Sequence, residues 1–260
     1  MSGAAGGKGA PTTAIAYSTA DRIVVDGADL VEDLIGQVGF TEMILRHLLR
    51  RKPERAQVVL LDAVLVTLME HGLTPSAIVT RLTYDAAPEA LQSAVAAGLL
   101  GVGSTFIGTM EGCSALIEEM LAAPEGVDAR ARDIADRLRA AKRSVHGFGH
   151  PHHKPDDPRT PKLFELAKRE GVAGRHIAAL QALSREVDRA WGRHLTINAT
   201  GAVAAVLGEI GIPQPVMRGV AVISRSAGLV GHVLEERERS SARWIWETVE
   251  HGIAYDGERP

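Results

Sequence analysis

The 260-residue chain is 45% hydrophobic and 23% charged, with few aromatics and a formal net charge of −3. That length suits one large domain or two modest ones, and the near-neutral balance argues against a nucleic-acid binder, which would carry a basic face, while leaving room for a local pocket that takes a small anion. A single cysteine, Cys113, excludes an internal disulfide and a cysteine-rich zinc site, and no apolar run is long enough to cross a bilayer.

The opening MSGAAGGKGAPTT is rich in Gly and Ala and lacks an apolar core, so residues 1–12 are read as a disordered tail and not as a signal peptide. The expected location is the cytoplasm. TAIAYSTADRIVVDG alternates apolar and polar residues around a turn at Ser18–Asp21, which predicts a β hairpin over 13–26. Helical periodicity follows. Asp29–Ile35 and Thr41–Arg51 read as short amphipathic helices, each opened by a capping residue. AQVVLLDAVLVTLMEHG (56–72) is apolar nearly all round and is expected inside the core, and PEALQSAVAAGLLGVG (88–103) reads as a second such helix. Further helices are expected over 111–122, 128–142, 161–170, 175–191, 201–211, 215–234 and 241–251, with breaks at 73–75, 123–128, 151–161 and 211–215. The fold class is therefore all-α with a small N-terminal β hairpin, in a layered and oligomeric helical assembly.

The stretch GFGHPHHKPDDPR (147–159) admits three readings. A metal clamp by His150, His152 and His153 is the weakest, because zinc ligands usually sit at helical i, i+4 spacing or on separate elements, and Pro151 and Pro155 disfavour a helix here. A rigid, solvated loop explains the prolines and Asp-Asp-Pro. It does not explain GFGH, where two glycines flank an aromatic just before His and Pro; that pattern describes backbone held open to close approach. Exposed N–H groups there, with Lys154 and Arg159, suit phosphate or carboxylate, and a histidine beside them is a natural proton carrier. An acid–base site next to an anion pocket accounts for more of the stretch than the loop does. Cys113 reads as a small residue packed at a helix start in preference to a reactive thiol. The run EERERSSAR (235–243) mixes signs closely and reads as a solvated helix face, not as a phosphate patch.

GFGH, then Lys154, then DPR at 157–159, resembles the active-site signature of the citrate synthase superfamily. The chain is most similar to its short members, the citryl-CoA lyases, and to the lyase module of ATP-citrate lyase. AAGLLGVGSTFIGTMEGC (96–113) and NATGAVAAVLGEIG (198–211) fall in the family's order and spacing. The resemblance implies a two-domain helical homodimer with shared active sites, a large domain over 13–111 and 213–260, and a small one over 112–212. It implies a CoA thioester and a small di- or tricarboxylate as ligands, no permanently bound cofactor and no metal.

By the same resemblance, His150 exchanges a proton with the oxygen at the carbon–carbon bond made or broken. Arg159 and Arg225 hold carboxylates, and His71 contacts the keto acid. The blander alternatives are a surface ion pair of Arg159 with Asp156 or Asp157 and, for His71, a helix C-terminal partner of the dipole. A further arginine is expected from the partner subunit, Arg243 or Arg259. Phe148, Gly149 and Lys154 are the expected CoA contacts. The pattern also departs from the family. Thr200 stands where the family has its catalytic aspartate, and a hydroxyl cannot serve as a carboxylate base. Glu70 replaces the usual Asp, His152 an aliphatic residue, and Phe106 the histidine of the synthases. The expected reaction is reversible cleavage of citryl-CoA, or a related 3-hydroxy-3-carboxyacyl-CoA, to acetyl-CoA and oxaloacetate. A degenerate CoA and dicarboxylate binder and a citryl-CoA thioester hydrolase remain as alternatives.

Overall fold

Alternation of apolar and polar residues produces the expected hairpin. Ala16–Ser18 (β1) pairs antiparallel with Ile23–Val25 (β2), placing Ala16 opposite Val25. A two-residue strand, Ala28–Asp29 (β3), pairs with β2 and makes the sheet three-stranded in the order β1-β2-β3. The computed structural model describes residues 10–105 and 107–258, so the first nine residues of the expected tail lie outside it. Two compact units are present, one ending at Val59 and one beginning at Leu60.

In the first unit, Asp29 caps the next turn by accepting from the N–H groups of Val31 and Glu32. That turn, Leu30–Leu34, is π-helical and not the expected α-helix: the Ile35 N–H reaches back five residues to the Leu30 carbonyl at 2.9 Å. Phe40–Leu49 (α1) opens at Gly39 with no side-chain cap, so Thr41 is not the capping residue expected from the sequence.

The second unit holds the rest. Arg55–Met69 (α2) buries Leu60, Leu61, Val64, Leu65 and Leu68, but Val66 is 68% exposed, so this helix is not enclosed on every side. Pro75–Ala86 (α3) had not been expected; Thr74 at the N-cap position and Pro75 at the first helical position mark its start. Leu91–Leu100 (α4) buries only Ala94 and Gly98, and Leu100 is 87% exposed, which corrects the expectation of a second buried helix. Gly98 is required where α4 meets α3, because a Cβ there would lie 1.9 Å from Thr80 Oγ1. Thr109–Leu121 (α5), Val127–Ala140 (α6), Arg159–Arg169 (α7) and Arg175–Trp191 (α8) follow the expected order. Ala199–Glu209 (α9) is buried continuously from Gly201 to Leu207, with α5, α7 and α8 packed around it. It is the enclosed helix of the unit. Met217–Glu238 (α10) and Ala242–Gly252 (α11) complete it. Among the described residues no helix is long and apolar enough to cross a membrane.

A buried polar knot joins α3, α10 and the start of α11. Arg81, 3% exposed, donates to Glu236 at 2.9 Å and to His232 Nδ1 at 3.0 Å, and pairs with Glu235. Burial alone would raise the Glu236 carboxyl. The Ala242 N–H, the Ser241 hydroxyl and the Arg81 guanidinium outweigh it and hold the group down at about 2. A depressed carboxyl adds stability that is present above its ordinary value and is lost as pH falls toward its folded value. Arg81→Met leaves the buried carboxylate without its cation and is expected to cost about 3–5 kcal/mol. A urea denaturation midpoint equal to that of the parent chain would contradict this.

Candidate active site

The GFGH segment owes its path to two glycines in the left-handed region, Gly147 at φ 86° and Gly149 at φ 76°. Gly147 also lies against α5 and α9: a Cβ there would sit 2.5 Å from Cys113 Sγ and 2.9 Å from the Gly201 Cα. Gly201 is constrained in turn, since its own Cβ would lie 2.5 Å from the Gly147 carbonyl oxygen. The segment is tied to the chain before α9 by an Asn198 N–H bond to the Gly147 carbonyl at 3.0 Å and a Gly149 N–H bond to the Thr196 carbonyl at 2.8 Å. The backbone is thus held in an unusual shape, as the sequence predicts. Its amides, however, are engaged internally: Phe148 N–H bonds the Val145 carbonyl at 3.2 Å, and Gly149 N–H is taken by Thr196. These two N–H groups are not the free phosphate donors anticipated from the sequence.

Beyond the glycines, the chain places His150 with its Nδ1 accepting from the backbone N–H of His152 (3.1 Å) and of His153 (3.0 Å). Two donors on Nδ1 place the proton of the neutral ring on Nε2, so His150 presents a hydrogen-bond donor. Burial first, then the charges around it, lower its acidity range below that of an ordinary histidine.

Asp157 is fully buried and its carboxylate clamps two residues, Arg159 and Ala199, also accepting from the Arg159 backbone N–H at 3.1 Å. It accepts from Arg159 Nε at 2.9 Å and Nη2 at 2.8 Å, and from the Ala199 N–H at the start of α9 at 2.9 Å. Burial would raise this carboxyl, but Arg159 and the amide donors hold it low. The ion pair set aside in favour of ligand binding does exist, with Asp157. It leaves Nη1 of Arg159 outside the clamp.

At the N-terminus of α9, Asn198 Oδ1 accepts from the Gly201 N–H at 3.1 Å and from the Thr200 hydroxyl at 2.7 Å. Thr200 Oγ1 lies 2.8 Å from Thr109 Oγ1 at the start of α5. Since Thr200 gives its one proton to Asn198, it receives the bond from Thr109.

His71, Glu70 and Arg225 close the arrangement. Gly228 of α10 packs on the end of α2, where a Cβ would meet the Met69 carbonyl at 2.2 Å, and this contact brings Arg225 beside Glu70. Glu70 accepts from the His71 N–H at 2.8 Å and lies 3.7 Å from Arg225 Nη1. Arg225 is 5% exposed, yet its Nε and Nη1 have no hydrogen-bond partner. Burial lowers the affinity of this guanidinium for its proton, and Glu70 opposes that only from a distance. His71 is likewise lowered, by burial first and then by Arg159, His153 and Arg225.

A cleft of about 640 Å³ gathers His71, His150, Arg159, Thr200 and Arg225, together with Phe148 and Gly149. Among the described residues no Asp or Glu lines it. Lys154 is exposed and does not line the cleft, and Arg243 is bonded to Asp85 at 2.8 Å. Phe106 and Arg259 lie outside the described residues. The sequence marks Asp157 only as a possible ion-pair partner of Arg159 and His153 only as a possible metal ligand, and it gives no role to Thr109 or Asn198; of these last two, Asn198 carries a usable signal, as a helix cap before an apolar run.

His71, His150 and His153 place ring nitrogens within 4.8 Å of one another, close enough for one metal ion. The donor set does not fit a metal, because the Nδ1 of His150 is filled by amides and its Nε2 carries the proton, while Arg159 and Arg225 repel a cation. Cys113 is fully buried beneath the segment, and burial pushes its thiol up to about 12, which supports the packing reading. Native protein at pH 8 is expected to react with an aromatic disulfide reagent only on unfolding; rapid stoichiometric release of the chromophore from folded protein would contradict that.

Fold and site define a helical protein with an imidazole- and guanidinium-lined cleft at the N-termini of two helices. Residues 10–246 match the family described as citrate synthase, C-terminal domain, and the chain belongs to the citrate synthase family. It is similar to citryl-CoA lyase from Hydrogenobacter thermophilus, at 30% identity and a TM-score of 0.86, covering 96% of this chain and 95% of that one. ATP citrate lyase from Methanosaeta concilii, solved with (3S)-citryl-CoA, shares the fold at a TM-score of 0.79 and 18% identity, over 96% of this chain and 42% of the other. Citrate synthase from Heyndrickxia coagulans is 26% identical over 213 residues, 81% of this chain and 54% of that protein. The chain spans about half the length of the curated citrate synthases it matches.

Proposed function

We propose that this protein cleaves or forms the carbon–carbon bond of citryl-CoA, or of a related 3-hydroxy-3-carboxyacyl-CoA, interconverting it with acetyl-CoA and oxaloacetate. The observation that carries the reading is Arg225, a buried guanidinium with two nitrogens lacking a hydrogen-bond partner, which belongs to the lining of a cleft with no Asp or Glu among its described residues. A buried cation whose nearest carboxylate, Glu70, is too far away to hydrogen-bond is costly, and a ligand carboxylate in bidentate contact reduces that cost. Arg225 and the free Nη1 of Arg159 take the carboxylates, with His71 beside them. In the bond-forming direction His150 donates from Nε2 to the keto oxygen of oxaloacetate, where negative charge develops and which ends as the hydroxyl. Cleavage is the reverse: the hydroxyl gives its proton back as the keto carbonyl re-forms, and the released acetyl-CoA carbon takes one up. The hydroxyls of Thr109 and Thr200 also line the cleft, but their protons are committed to the chain that ends on Asn198, so neither donates to a thioester oxygen. A second subunit supplying Arg243 or Arg259, and closure between segments 13–111 with 213–260 and segment 112–212, belong to the same reading. Lys154, exposed on the loop, is the contact proposed for CoA phosphate.

Citryl-CoA consumption with product analysis tests this directly. Oxaloacetate and acetyl-CoA in equal amounts support the lyase, whereas citrate with free CoA indicates a thioester hydrolase. The engaged hydroxyl of Thr200 favours one rival reading, a protein that binds these ligands without turning them over: the cleft then has no general acid or base for the enolate, an aid worth on the order of 10²–10⁴-fold. In that case the parent chain binds but is inert, and Thr200→Asp gains activity by up to that factor.

The pH dependence follows from the lowered histidines. The neutral rings are the working forms, so kcat/KM should stay level through the ordinary histidine range near pH ~6.5 and fall only at more acidic values. A decline centred above pH ~7 would contradict the assignment.

A further inference from the structure

His153 is absent from the cleft lining and contacts two of the histidines that are in it, His71 and His150. Its backbone N–H is one of the two donors that fix the His150 tautomer. Its ring stacks on that of His150, with centroids 4.2 Å apart and planes inclined by 30°. Its Nε2 lies 3.3 Å from the Nε2 of His71, whose ring it meets edge-on. One residue therefore touches the imidazoles of both His71 and His150 and is oriented by each.

We propose that His153 is a positioning residue that sets the orientation and the proton count of His71 and His150 together. Two imidazoles joined through Nε2 share one proton in that bond. If both carried a proton there, donor would face donor and the contact would open. The His71 ring is thus held in the tautomer complementary to His153, and the nitrogen it offers the cleft is determined by a residue the ligand does not touch. The surroundings reinforce this. Arg159 and Arg225 act on the rings as fixed cations, Asp157 is a nearby carboxylate already clamped to Arg159, Glu70 accepts from the His71 N–H, and His152 and Lys154 are exposed neighbours in the loop, the His152 ring 6.0 Å from that of His150. A proton on His71 or on His150 is disfavoured by burial first and then by the neighbouring cations and rings, so both are held below the ordinary histidine range.

The role in catalysis rests on the carboxylate reading of the cleft; the coupling of the three rings does not. The experiment therefore has two arms. In the first, full-length protein with ring-labelled histidine is titrated by heteronuclear NMR, comparing the parent chain with His153→Phe and His153→Gln. Phe keeps a flat ring against His150 but removes the bond to His71, so the midpoints of both His71 and His150 are expected to rise. Gln can still bond His71 and is expected to leave the His71 tautomer unchanged, as read from its ring ¹⁵N shifts. In the second arm, kcat for citryl-CoA cleavage should fall by up to ~10²-fold in His153→Phe, the scale of a small misplacement of a reacting group, with recovery of most of the loss in His153→Gln. Unmoved midpoints for both rings in the Phe variant would overturn the proposal, as would equal loss of activity in both variants without a change in their titrations. A parent chain inert toward citryl-CoA would count against the proposed reaction, and the NMR arm would still decide the role of His153.

Discussion

A carboxylate with no access to water, that of Asp157, holds the site together. It joins the loop that carries His150, the guanidinium of Arg159 and the first turn of α9, elements separated by about forty residues of sequence. The Gly147–Gly201 contact lets the loop backbone come close enough for that link to form. The arrangement is coherent electrostatically: an anion sits at a helix N-terminus, where amide N–H groups are unsatisfied, and orients a cation whose remaining edge faces the cleft. Loss of any one of these features would displace the others, because the packing between them leaves no room for a methyl group.

The cleft itself is positively charged and lacks a matching anion among its lining residues. Surface arginines resolve such an imbalance with solvent. Arg225 cannot, being enclosed among α10 and the end of α2 with two nitrogens unsatisfied. Glu70 at 3.7 Å is too distant for a hydrogen bond and is shared with His71 and His232. Desolvating a charge costs several kcal/mol, while a hydrogen bond to a charged group returns roughly 1.5–3 kcal/mol. Two such bonds from one carboxylate are of the size needed. A small polycarboxylate fits the site better than a phosphate, whose backbone donors at Phe148 and Gly149 are already engaged.

Much of this was legible in the sequence, and the failures have physical causes. The helical class, the hairpin and the order of most elements followed from periodicity. The segments LQSAVAAGLL and ATGAVAAVLGE look alike in composition, yet α9 is enclosed and α4 has exposed leucines at both ends. Apolarity on all faces says that a helix seeks cover; it does not say which chain supplies it. Helix α3 was missed because Leu-Thr-Pro was read as a break when Thr-Pro was a helix start. The sequence named His71, His150, Arg159 and Arg225, and the fold gathers them around one cleft. It could not reveal the tautomer of His150, which depends on two backbone amides, or the engagement of Arg159 by Asp157, which depends on rotamers. The sequence offers His153 only as a metal ligand, because its contact with His71, 82 residues away, exists only in the fold.

The central claim is that the unsatisfied guanidinium of Arg225 is completed by a ligand carboxylate. Calorimetric titration of oxaloacetate or citrate into the parent chain and into Arg225→Leu measures this most directly. Binding should be readily measured in the parent chain and at least ~10-fold weaker in the variant, the loss of one charged hydrogen bond. Equal affinity in the two proteins, with the variant folded, would show that the cleft serves some other purpose.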